Sequence, residues 1–140
     1  MQKEMIDRLK EVPLFSGLSE EQRSDVLKIA GKRVFEAGKP IVQQGKQTNA
    51  AFFLILDGQV EVKRDHRTLA KLEHGEFFGE MALFGNQPRS ADVVAATDTT
   101  CLVIARWNLE ELFKTSPDIP MVMLGVLSQR LRDTDKQLTE

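Results

Sequence analysis

The spacing of apolar positions changes twice along the chain. From Gln2 to Lys10 the residues Met5, Ile6 and Leu9 keep helical spacing, which predicts a short amphipathic helix. After the turn-like VPLFSGL, Ser19 stands three residues before Gln22. The serine hydroxyl can accept from a free first-turn amide while the glutamine reaches back, so a second helix is expected from Glu20 to Ala30. Gly31 should close it in the left-handed conformation. From Lys32 to Arg106 the rhythm is that of short strands rich in Val, Ile, Phe and Thr, cut at Gly38, Gly45, Gly58, Gly75, Gly85 and the pair Thr97 and Asp98. KRVFEA, PIVQQ, AFFLILD, QVEVKRD, TLAKLEH, ADVVAAT and TTCLVIAR are the expected strands. QVEVK alternates, with Val60 and Val62 on one face, whereas FFLIL does not and should be a central strand covered on both sides. Seven or eight such strands predict a sandwich or jelly-roll barrel.

Helical spacing then returns. Asn108 with Glu111 repeats the capping pattern ahead of LEELFKT, and Ser116, Pro117 and Asp118 combine a cap, a first-turn proline and an acid suited to the helix dipole. A last helix is expected over 117–138. In it Leu124, Leu127, Leu131, Thr134 and Leu138 alternate three- and four-residue steps, the seam of a coiled coil, which either lies on its own barrel with Thr134 as a half-polar core residue or pairs with a second copy.

Composition narrows the function classes. The 140 residues, 41% hydrophobic and 29% charged, suit one globular domain able to bury its apolar surface without staples. A net charge of -2 gives no general attraction to nucleic acid or to an anionic membrane. The single cysteine, Cys101, lies in the apolar run CLVIA, so it is expected as a buried strand thiol, with no disulfide framework and no zinc site built on it. No signal peptide or membrane span is evident, which places the protein in the cytoplasm as an expectation.

One stretch breaks the strand pattern: FFGEMALFGNQPRSA, residues 77–91. Charged residues are rarely buried unless paired, so Glu80 and Arg89 either bond each other or serve a ligand. EMALF between Gly79 and Gly85 should form a single helical turn whose first amides, at the positive end of its dipole, favour an anion. Arg89 adds a planar fork of donors suited to a phosphate, with the Ser90 hydroxyl beside it. Glu80 would accept from neutral hydroxyls, since like charges repel. A ligand with one phosphate and one sugar hydroxyl satisfies all three.

FGEMALFGNQPRSADVVA resembles the phosphate-binding cassette of cyclic nucleotide-binding domains, and the likeness extends along nearly the whole chain. It is similar above all to the bacterial cyclic AMP receptor proteins and to the regulatory domains of kinases and channels. The resemblance implies a mainly β fold with flanking α: a jelly-roll barrel or sandwich of about eight antiparallel strands, N-terminal helices (1–31), a barrel (32–106) carrying the cassette (78–91) with its short helix, and a long C-terminal helix (within 107–140). It implies Arg89 and Ser90 on the cyclic phosphate, with backbone approach at Ala82 and Ala91, and Glu80 with the Gly79 backbone on the ribose 2'-hydroxyl. Val62, Arg130 and Thr134 are implied at the base and its lid. The loop KQTNAA after Gly45 departs from the family by one added residue and a missing acid.

The expected ligand is cyclic AMP, with cyclic GMP second, and no metal or other cofactor. A homodimer through the C-terminal helix and an unidentified effector protein are the expected partners. Alternatives are an interaction module that keeps the fold without nucleotide, and a cupin-like metal enzyme. The latter has only His66 and His74 to draw on, at expected strand ends, and no catalytic triad is present, so no enzyme is expected. A helix-turn-helix module would need chain beyond Glu140, so direct DNA binding is not expected either.

Overall fold

The computed structural model describes residues 2–45, 50–80, 83–85 and 91–139, with side chains in the last helix described to residue 136. The chain divides into two compact units, Ala30–Asn108 and a helical unit formed by the residues up to Ile29 with those from Leu109 onward.

In the helical unit, α1 (Gln2–Lys10) and α2 (Glu20–Lys28) are joined through a 3-10 turn, Pro13–Phe15. The capping box at the head of α2 is formed in both directions: the Ser19 hydroxyl accepts from the Gln22 amide at 3.1 Å and Gln22 Oε1 accepts from the Ser19 amide at 2.9 Å. The end of α2 differs from expectation. The helix stops at Lys28 with Ile29 as its cap, and Gly31 opens the first strand instead of taking a left-handed turn. Arg23 is buried because its guanidinium reaches two backbone carbonyls, Ile6 at 3.0 Å and Leu18 at 2.7 Å, which offsets the cost of removing a charge from water. The C-terminal helix α4 (Asp118–Thr139) sets Val122 and Val126 so close to Gly17 that a Cβ there would fall 2.7 Å from Val126 Cγ2.

In the strand unit, the described residues form eight strands: β1 (Gly31–Phe35), β2 (Pro40–Val42), β3 (Ala51–Asp57), β4 (Gln59–Arg64), β5 (Arg67–Glu73), β6 (Phe77–Phe78), β7 (Asp92–Ala95) and β8 (Thr99–Ala105). They make two antiparallel sheets in the orders β1-β8-β3-β6 and β2-β7-β4-β5. Phe53 and Ile55 from one sheet and Val60 and Val93 from the other belong to a single core cluster with Phe78 and Cys101, so the sheets close face to face as a sandwich. Phe53 stacks on Phe78 at 4.8 Å between ring centroids and meets Phe35 edge-on at 6.3 Å. β3 is the interior strand expected from FFLIL: it lies between β8 and β6, and its first five residues are all buried.

Turn chemistry sets the register. Asp65 and His66 both have positive φ, 52° and 68°, in the two-residue loop joining β4 to β5, as a tight hairpin matched to strand twist requires. At Gly58, φ is 99° and an added Cβ would stand 2.5 Å from the Asp98 carbonyl oxygen, so only glycine fits between β3 and β4. β6 was not expected; two residues are too few for a period to register.

Candidate functional site

The interrupted stretch begins where β6 ends. Gly79 follows it with φ 86°, a conformation that turns the chain sharply out of the sheet. Glu80, half-buried, opens a turn closed by the Leu83 amide donating to the Glu80 carbonyl at 3.3 Å. That i to i+3 bond agrees with the expected single helical turn at its two described ends, and Leu83 is fully buried beneath it. Phe84 and Gly85 are exposed. The chain returns at Ala91, half-buried just before β7, where the Asp92 carboxylate accepts from the Gln44 amide at 2.6 Å and so ties the exit of the stretch to the segment after β2.

Of the residues assigned to the site, Gly79 and Glu80 thus follow β6 directly and Ala91 directly precedes β7. Ala82, Arg89 and Ser90 lie outside the described residues, as does most of the KQTNAA loop. Val62 sits on β4 opposite Val93 and Ala70 and packs against the sandwich core. Arg130 and Thr134 belong to α4, where both are exposed and the Thr134 hydroxyl donates to the Arg130 carbonyl at 3.0 Å. Leu124, Leu127 and Leu131 are also exposed, at 57%, 38% and 64%, so the seam of α4 is not a face buried within the chain.

One residue of this region escaped the sequence reading. Arg106, the first residue of α3 (Arg106–Thr115), donates from Nε to the Leu83 carbonyl and from Nη2 to the Gly85 carbonyl, each at 2.6 Å. An arginine ending the run TTCLVIAR looks like a strand terminus meeting solvent; only the fold brings it to the turn.

The histidines do not converge. His74 Nδ1 lies 2.6 Å from the Leu56 carbonyl and His66 occupies the β4–β5 turn. Among the described residues no group of three or more His, Cys, Asp or Glu is placed to hold a metal ion, and no helix is long and apolar enough to cross a membrane.

A profile described as the cyclic nucleotide-binding domain matches residues 32–116, from the first strand through the stretch between β6 and β7 to the end of α3. The chain belongs to the cyclic nucleotide-binding domain family. Among its relatives, the cyclic AMP receptor protein of Thermus thermophilus is 37% identical over 135 residues, covering 93% of this chain and 62% of its own length. Human cGMP-dependent protein kinase 2 is 29% identical over 92% of this chain and 18% of its own. This chain therefore spans less than two thirds of either relative. The crystal structure of the N-terminal domain of a transcriptional regulator from Streptomyces coelicolor superposes with a TM-score of 0.82 at 25% identity, covering 94% of both chains. The Thermus catabolite activator protein superposes with a TM-score of 0.67, covering 91% of this chain and 62% of its own. The likeness stated for FGEMALFGNQPRSADVVA is thus borne out by a family match from residue 32 to residue 116.

Proposed function

We propose that this domain is a non-enzymatic sensor of cyclic AMP, with Arg89 and Ser90 holding the cyclic phosphate, Ala82 and Ala91 approaching it through the backbone, and Glu80 with Gly79 holding the ribose 2'-hydroxyl. The observation that carries the reading is the stretch between β6 and β7: a family match runs through it, the polar groups proposed for the phosphate and the ribose are present in its sequence, and Gly79 has the left-handed backbone that starts it. Cyclic AMP is favoured over cyclic GMP by the Thermus relative, named for cyclic AMP, which is more similar over most of this chain than the kinase named for cyclic GMP.

The lid of the reading is α4. Thr134 gives its hydroxyl to its own helix in this structure and would exchange that bond for the base, for which Val62 and Arg130 are also proposed. The exposed Leu124, Leu127 and Leu131 fit a parallel homodimer through α4, and an effector protein would read the change. Nucleotide moves α4 only as far as it binds one arrangement more tightly than another.

Calorimetry with cyclic AMP and cyclic GMP tests the reading. Heat is expected with cyclic AMP, and Arg89→Ala should remove roughly 3 to 5 kcal/mol of binding, the range for stripping one partner from a buried charge pair, or a hundredfold or more in affinity. No heat with either nucleotide would leave an interaction module of the same fold.

A further inference from the structure

We propose that Arg106 is a positioning residue of the nucleotide site, which holds the cassette turn by its carbonyl side so that the backbone at Gly79 and Glu80 is set before ligand arrives. The inference rests on the nucleotide-binding reading but starts from a different observation, the pair of 2.6 Å bonds from one guanidinium to the carbonyls of Leu83 and Gly85.

The last carbonyls of a helical turn have no partner within it and carry partial negative charge, so a cation there satisfies both needs. Arginine is the side chain whose rigid fork can meet two carbonyls at once, and meeting both restricts the plane in which residues 83–85 lie. The base of that fork is itself anchored. Arg106 is half-buried, continues directly from β8, and donates its backbone amide to the Ala50 carbonyl at 3.0 Å. The turn is therefore held from beneath by the buried Leu83 side chain and from one side by a guanidinium fixed to the sandwich.

What this restraint sets is the other end of the turn. The Leu83 amide bonds the Glu80 carbonyl, so fixing Leu83 fixes the backbone of Glu80 and, through it, the bend at Gly79. Arg106 therefore bears on the proposed ribose contacts at Gly79 and Glu80 without occupying them. A turn ordered in advance spares the ligand the entropy of ordering it, and that saving appears as affinity.

Two variants separate this role from general stability. Arg106→Met keeps the apolar stem and removes every donor; Arg106→Lys keeps the charge but not the fork. The expected result is a cyclic AMP affinity lowered roughly 10- to 100-fold in Arg106→Met, as for loss of charge-assisted hydrogen bonds, with Arg106→Lys in between. In the nucleotide-free protein, amide exchange at 83–85 should quicken in Arg106→Met while exchange in β3 and β8 stays as in the wild type. Wild-type affinity in Arg106→Met would overturn the proposal, and so would exchange that quickens equally in β3 and β8, the mark of a purely structural contact. If the wild-type protein itself takes up neither cyclic AMP nor cyclic GMP, it is the nucleotide reading that fails; the exchange comparison on free protein then decides the tether alone.

Discussion

At the residue scale, burial alone sets the chemistry of Cys101. Its side chain is fully enclosed in the sandwich core, and desolvation pushes the thiol from an ordinary 9.0 up to about 11, because the thiolate would have to form in an apolar interior. The thiol is neutral in folded and unfolded chains alike below about pH 9. As pH rises from 9.0 toward about 11 only the unfolded chain loses the proton, so this group draws stability down across that window. Urea unfolding should show a shallower decline of stability between pH 9 and 11 in Cys101→Ala than in the wild type, the difference being on the order of 1 to 3 kcal/mol. Parallel declines would show that the thiol does not titrate differently in the two states. The strand-thiol expectation from CLVIA holds at this residue because an unbroken apolar run has few places to go but a core.

Elements were legible in proportion to how local their determinants are. The Ser19 and Gln22 box forms as read, since both bonds close within one turn. The Asn108 box does not: α3 begins at Arg106, two residues earlier, because β8 runs straight into the helix with the Arg106 amide bonded to the Ala50 carbonyl, next to β3 in the same sheet. Asn108 therefore lies inside the first turn and cannot be its cap. Gly31 failed for the same kind of reason, its backbone being claimed by pairing opposite Val103. The leucine seam of α4, by contrast, was read from spacing, and its described leucines are exposed. An exposed apolar stripe of this kind is expected to pair with a second copy. Sedimentation should give a dimer for the wild type and a monomer for the double variant Leu127→Glu, Leu131→Glu; an unchanged mass would place any dimer contact elsewhere.

For the molecule as a whole, the proposal predicts that nucleotide slows amide exchange both in residues 79–91 and in residues 117–138. A response limited to the cassette would show binding without coupling to the last helix. The distinction matters because the two segments belong to different compact units, and only differential affinity for their arrangements can join them.

By itself the sequence determined the class of the fold, most strand positions, and the contiguous stretch on which the proposed phosphate and ribose contacts rest. Residues close in sequence are close in space whatever the fold, so a glycine, a glutamate and an arginine within one loop can announce a phosphate and a hydroxyl without coordinates. Tertiary structure alone decided where α3 begins, that Phe77 and Phe78 pair with β3, and that Arg106 reaches a turn 23 residues earlier in the chain. Those contacts exist only once the two sheets have chosen their order, and no local pattern encodes a choice made between strands so far apart.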